Sequence, residues 1–271
     1  MGYKTKIDWC DSSWNPVTGC LHGCEYCYAR TIAKRFADKN GAFVQFNTFE
    51  YDGDFPVFDK APDRIEDHGD FNRVAGKSLY PFGFKPTFHR YRLSQPAKWS
   101  NPRTIFVGSM TDLFGEWVPE GWIQEVIAAC KAAPQHRYLF LTKNPGRYRE
   151  LFVKDILPQD DNFWYGSTTD TPETEFFWSG FAKTFVSIEP ILKPFTGLVD
   201  EGCFPDSKTN WIIVGAETGN RKGKVIPEKS WISELVEFAA DTFTPIFMKE
   251  SLREIMGDDF KQEYPWPVSL V

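Results

Sequence analysis

Three cysteines stand close enough along the chain to share one metal centre. The stretch Gly19-Cys20-Leu21-His22-Gly23-Cys24-Glu25-Tyr26-Cys27 contains C-x3-C-x2-C. Gly19 and Gly23 permit the tight turns that would aim three thiolates at one cubane of iron and sulfide. Three protein ligands leave one iron of a [4Fe–4S] cluster open to another molecule. A structural zinc ion normally takes a fourth protein ligand. His22 lies inside the loop and is badly placed to supply it, so Cys10 or a distant histidine would have to. Zinc therefore stands as the second reading, and a cluster that only transfers electrons as the third.

The remaining thiols and the composition narrow the class. Cys10, Cys130 and Cys203 show no partner spacing, and Cys130 sits in an alanine-rich stretch expected in a core. Six cysteines in 271 residues, half of them clustered, do not read as a disulfide framework. In a reducing compartment, clustered thiols read first as metal ligands. A formal net charge of −6 excludes a global electrostatic footprint for nucleic acid. Only a local groove at Arg90, Arg92, Lys98 and Arg103 remains as phosphate contacts, and solvated surface charge explains the same residues. Runs of about 18 apolar residues are missing, so no membrane span is expected. Met1 to Trp9 lacks the apolar core of a signal peptide, which makes the cytoplasm the default location. Aromatic content of 17% supplies core volume and flat walls for a planar ligand.

The elements that must hold the loop follow from the apolar pattern. Residues 14–19 read as a first strand before the cysteines, with a helix over 27–39 after them. Further strands are predicted at 103–108, 138–142, 163–167, 184–188, 211–215 and 245–249. Helices are predicted over 118–133, shortly after Pro145-Gly146, and near 229–241. An acidic helix is expected beyond Thr169 and Asp170. Near-continuous apolar strands separated by helices indicate a parallel sheet covered on both faces. The predicted fold is α/β, a partial or nearly closed (β/α) barrel of about six or seven parallel strands. The whole chain, 1–271, reads as one domain with a long aromatic-rich insertion at about 41–100, without clear period, after the first βα unit.

The motif C-x3-C-x2-C with an aromatic residue, Tyr26, before the third cysteine resembles the radical S-adenosylmethionine (SAM) superfamily. Ile7-Asp8-Trp9, Trp14-Asn15-Pro16-Val17-Thr18-Gly19-Cys20, Ser109-Met110-Thr111-Asp112-Leu113-Phe114, Leu141-Thr142-Lys143, Ser187-Ile188-Glu189-Pro190 and Val214-Gly215-Ala216-Glu217-Thr218-Gly219 are similar to landmarks of a phage-associated branch of unassigned function. The cysteine spacing departs from that branch's longer loop and matches the superfamily's commonest form. The resemblance implies a [4Fe–4S] cluster on Cys20, Cys24 and Cys27, with SAM chelating the open iron. One-electron reduction then cleaves the sulfonium, and the resulting radical abstracts hydrogen from substrate. An electron donor such as flavodoxin or ferredoxin is implied as partner. A nucleotide or nucleic acid is the favoured substrate class.

The same resemblance places cofactor contacts. Ser109 and Asp112 follow the second barrel strand, where relatives bind the methionine amino group; helix capping by Thr111 or Asp112 is the competing reading. Ser167 and Thr168 suit the cofactor's ribose or carboxylate, and the backbone at Tyr26 suits adenine. Tyr28 is expected to pack, and His22 to be an exposed loop histidine or a donor near the cluster. Glu189, Glu217, Lys143 and Lys249 close apolar strands, where barrel chemistry sits, and are the candidate catalytic residues. The lysines alternatively pair with Glu189 or Glu217. The cysteine loop is expected to face Ser109–Asp112, Ser167–Thr168, Glu189 and Glu217 across one cavity.

Overall fold

The computed structural model describes residues 5–37, 49–67, 72–195 and 209–267. Seven strands form one all-parallel sheet in sequential order, curled into a half-barrel. They are β1 (Ser12–Trp14), β2 (Thr104–Val107), β3 (Arg137–Thr142), β4 (Phe163–Thr168), β5 (Lys183–Ile188), β6 (Ile212–Val214) and β7 (Ile246–Met248). Helix α1 (Tyr28–Phe36) follows the cysteine loop, α2 (Glu120–Lys131) joins β2 to β3, α3 (Pro145–Val153) joins β3 to β4, and α4 (Lys229–Asp241) joins β6 to β7. A parallel pair needs such a crossover, which is why the sheet is covered by helices.

Alternation along each strand separates two faces. Ile105, Val107, Tyr138, Phe140, Phe163 and Tyr165 pack outward beneath α2 and α3. Val186, Ile188, Ile212, Val214, Ile246 and Met248 pack outward beneath α4. Phe106, Leu139, Trp164, Phe185, Ile213 and Phe247 point the other way and fill the concave face around Trp9 and Trp211. Gly166 lies on that concave face, and a Cβ there would collide with the ring of Phe185. Phe185 is fully buried and has no room to yield. Gly166→Ala is expected to destabilise the chain by about 1–3 kcal/mol, read as a shifted urea midpoint with an unchanged slope.

The N- and C-terminal segments close the gap between the sheet's outer strands. The Asp8 carboxylate accepts the Glu250 amide at 2.9 Å, and the Tyr264 hydroxyl donates to the Asp8 carbonyl at 3.1 Å. Gln262 bridges Phe247 in antiparallel sense along the free edge of β7. Trp9, 2% exposed, is thereby driven into the concave face between Phe106, Phe185 and Trp211. The Ile7-Asp8-Trp9 landmark therefore plugs the concave face through Trp9.

Three local expectations need correction. The first sheet strand ends at Trp14 rather than running to residue 19, because Pro16 offers no amide to a ladder. Val17–Thr18 instead pairs antiparallel with Thr87–Phe88 in a second sheet, which continues through Phe55–Val57 to Glu50–Asp52. No acidic helix follows β4: residues 171–182 run as turns and extended chain, with Pro172 and Gly180 unsuited to a helix. The insertion is more ordered than its composition indicates, since Asp63–Asp67 and Asn72–Lys77 also pair as a hairpin. Residues 38–48 and 68–71, parts of the expected helix over 27–39 and of the insertion, lie outside the described residues, as does Cys203.

Candidate functional site

The route from β1 to the cysteines is set by short-range pins. The Asn15 side-chain oxygen accepts the Met110 amide at 2.9 Å and the Ser109 hydroxyl at 3.2 Å, tying the end of β1 to the end of β2. Gly19 forms a parallel bridge with Thr111, whose hydroxyl donates to the Gly19 carbonyl at 2.6 Å. Its φ of +88° and the Lys85 carbonyl lying against its Cα leave room for no side chain. Gly23 turns the loop again at φ +76°. The loop from Cys20 to Cys27 thus sits at the C-terminal end of the barrel strands.

The three thiols share one environment. Burial pushes the Cys20 thiol up to about 12, with Asp112, Cys24 and Cys27 adding to the cost of its ionisation. Burial also raises Cys24, where the Lys143 ammonium works in the opposite direction. The Cys27 sulfur accepts the Arg30 amide at 3.3 Å and caps α1. Among the described residues no group of three or more His, Cys, Asp or Glu side chains stands as a ready site for a metal ion. The donor set nonetheless suits an iron–sulfur cubane, which takes soft thiolates and spreads them wider than one ion does.

Three tethers seat this loop on the barrel. In the first, Asp112, 5% exposed, is bonded on every side. Its carboxylate contacts His22 Nε2 at 2.7 Å and accepts the Thr142 hydroxyl at 2.7 Å and the amides of Lys143 and Phe114 at 2.8 and 3.0 Å. The His22 ring also stands edge-on to Trp117. Asp112 is thus neither a helix cap nor an open cofactor contact, because its oxygens are already engaged.

In the second tether the Tyr26 hydroxyl donates to Asp170, which also pairs with Lys143 at 3.0 Å. The Lys143 ammonium lies 5.3 Å above the Tyr26 ring. Burial alone would raise the Asp170 carboxyl, but Tyr26, Lys143 and Thr174 hold it below the usual range. In the third, Arg221 grips Glu217 with two bonds of 2.7 Å and reaches Glu25 of the loop at 3.4 Å.

The third tether gives a pH dependence. Hydrogen bonds from Arg221 hold the Glu217 carboxyl below its ordinary value of 4.5. A depressed carboxyl stabilises the fold above that ordinary value and loses the contribution as pH falls through its folded-state pKa. Arg221→Met is expected to narrow its stability deficit against wild type as pH drops below the ordinary carboxylate range. Urea unfolding across a pH series checks this.

Across the mouth stand the other candidates. Glu189 and Lys249, at the ends of β5 and β7, form an ion pair. Between them Gly215 leaves the space: a Cβ there would lie 2.9 Å from Lys249 Cδ and 3.2 Å from Glu189 Cγ. The Tyr28 hydroxyl donates to the Ser109 carbonyl at 2.7 Å, and its ionisation is opposed by burial and by the charges of Glu189 and Cys27. The ion pair therefore faces the cysteine side of the barrel.

Ser167 departs from its expected role. It alternates with Trp164 and Gly166, so its hydroxyl lies on the outer face and accepts the Phe177 amide at 2.8 Å. Thr168, its neighbour, falls on the concave face, where its register partner is Ser187. The Ser187 hydroxyl is wholly buried there and has no hydrogen-bond partner among the described residues. Residue types alone missed His22 as a tether, Asp170 as the hub of Tyr26 and Lys143, and Ser187. The i, i+4 spacing of Glu217 and Arg221 was a readable signal. Cys130 is fully buried in α2, in the expected core. A surface cavity of about 380 Å³ beside α4, lined by Ala240, Phe243 and Tyr264, lies away from this site.

The fold and site define an α/β half-barrel protein with a cysteine loop tethered over the strands' C-terminal ends. Residues 4–256 match the model of a family described as a protein of unknown function, DUF5131, and the chain belongs to that family. No curated protein and no solved structure matches it.

Proposed function

We propose that this protein is a radical SAM enzyme of the cytoplasm, with Cys20, Cys24 and Cys27 as ligands of a [4Fe–4S] cluster. The observation that carries the reading is that Cys20, Cys24 and Cys27 share one loop, without a fourth cysteine in it, at the C-terminal end of a parallel half-barrel. No helix among the described residues is long and apolar enough to cross a membrane. When bound, the cluster supplies one electron to the sulfonium of SAM, and reductive cleavage furnishes the radical that abstracts hydrogen.

The chain's own residues orient and shield. The Asp112, Asp170 and Glu217 tethers hold the cysteine loop in register with β2, β3, β4 and β6. The Ser109 carbonyl receives Tyr28, and its hydroxyl is held by Asn15, so the β2 end presents backbone rather than free side chains to a ligand. Thr168 and Ser187 supply hydroxyls on the concave face. Lys249 and Glu189 offer a cation and an anion to a polar substrate group, a nucleotide being the favoured class. Trp9 and its aromatic neighbours seal the floor and keep water from entering below.

Anaerobic reconstitution is expected to load about four irons per chain. SAM should perturb the cluster's spectrum, and reduction should release 5′-deoxyadenosine. A fully loaded, reducible cluster that forms no deoxyadenosine would refute the enzyme reading. One zinc and no iron after anaerobic purification would favour the structural-metal alternative.

A further inference from the structure

We infer that this chain forms a two-fold homodimer through the end of α4, where Phe243 of each copy enters the surface groove beside α4 of the other. The pairing needs neither cluster nor SAM. Its central residue stands where its type is disfavoured. Helix α4 closes with the Thr244 amide donating to the Ala239 carbonyl at 2.9 Å and the Phe243 amide to the Ala240 carbonyl at 3.2 Å. That double closure puts the residue after the cap in the left-handed region, a place ordinarily given to glycine. Here Phe243 holds it, at φ +53°. An aromatic residue is strained at such a φ. Phe243 is also 93% exposed, the most exposed large apolar side chain among the described residues. Strain kept without burial in the single chain points to a contact outside it.

A receptor for the ring lies beside it. The groove of about 380 Å³ is walled by Val236, Ala240, Pro245 and Tyr264, with Lys261 and Glu263 on its rim. Both charged side chains are exposed, and neither enters an ion pair among the described residues. One Glu263 oxygen accepts the Ile246 amide at 3.1 Å, which fixes the carboxylate at the rim. Glu237 and Asp241, the other carboxylates at this end of α4, do not line the groove.

An apolar knob beside an apolar hole, with a cation and an anion on the rim, becomes complementary to itself under two-fold rotation. The rotation carries each Phe243 into the opposite groove and sets each Lys261 against the opposite Glu263. Buried aromatic anchors ringed by paired charge are the usual source of affinity in such contacts. The groove flanks the start of β7, the end of the sheet away from the cysteine loop, so pairing leaves the mouth of the barrel open.

Sedimentation equilibrium of the full chain tests this. The wild type is expected to be dimeric within a concentration range of about 1–100 μM. Phe243→Gly should be monomeric over the same range. Diluted until both are monomers, it should unfold at a urea midpoint no lower than that of the wild type, because glycine relieves the strained φ. K261E and E263K each set like charges together at both rims, and each should raise the dissociation constant by about tenfold. Mixed in equal amounts, the K261E and E263K chains should pair with one another near wild-type affinity, since opposite charges then face at both rims. A wild type that stays monomeric throughout would overturn the proposal and leave the groove to another occupant. A dimer undiminished by Phe243→Gly would overturn it by placing the interface elsewhere. Mixed charge variants that pair no better than either alone would overturn the two-fold pairing of Lys261 with Glu263.

Discussion

Cys24→Ala is expected to drop iron from about four per chain to below about one after anaerobic reconstitution. Cys24 lies between the other two loop cysteines, and the Lys143 ammonium favours its ionised form. With two thiolates left, two corners of a cubane lack protein ligands instead of one, and the assembled cluster is no longer held. The replacement removes a half-exposed side chain from a loop, so the barrel core is untouched and circular dichroism should be unchanged. Cys130→Ala makes the matched control: it removes a fully buried thiol from α2 and should lower stability while leaving iron content at the wild-type value. A Cys24→Ala protein that still holds four irons would show that the loop is not the ligand set.

Asp112→Ala is expected to cost about 3–5 kcal/mol of stability. The carboxylate joins four groups, from the cysteine loop (His22), the end of β3 (Thr142 and the Lys143 amide) and its own turn (the Phe114 amide). Removing it strands two buried backbone amides, each worth about 1–3 kcal/mol when left unpaired. It also cuts the loop from β3. Urea unfolding of the metal-free protein measures the first effect, and the alkylation rates of Cys20 and Cys24 report the second. His22→Ala should reproduce the faster alkylation with a much smaller loss of stability. The double variant should be less destabilised than the sum of the two, because the shared contact can be lost only once. Additive effects would mean that His22 and Asp112 do not act together.

The cysteine loop was legible because its chemistry is local: three thiols and two glycines fall within nine residues, and spacing along the chain bounds spacing in space. The parallel sheet was legible because strands buried on both faces must be apolar at consecutive positions, as Tyr138–Leu141 and Phe163–Tyr165 are. The insertion was not, since its short strands pair with Val17–Thr18 and with one another rather than repeating a pattern of their own.

The site's finer roles needed three dimensions. Ser167 and Thr168 are adjacent hydroxyl residues, but alternation places one under the Phe177 loop and the other on the concave face. Which phase the alternation takes depends on the register of β4 between β3 and β5. Asp112 looked like an open carboxylate, and His22, Thr142 and the Lys143 amide, brought from elsewhere in the chain, close it together with the local Phe114 amide. Lys249 and Glu189 are separated by 60 positions and meet across Gly215, the residue after β6, where the missing side chain leaves the space.

The sequence by itself determined the α/β class, the order of the sheet's strands and the thiols that the cysteine loop carries. Composition and local periodicity carry that information, because burial acts on each residue where it stands. Only the tertiary structure decided how the loop is seated: on Asp112 through His22, on Asp170 through Tyr26, and on Glu217 through Arg221. Each tether ties the loop to residues distant in sequence, the local Glu217–Arg221 pair reaching Glu25 across the fold, and no local propensity encodes a contact whose two halves meet only after the sheet has curled.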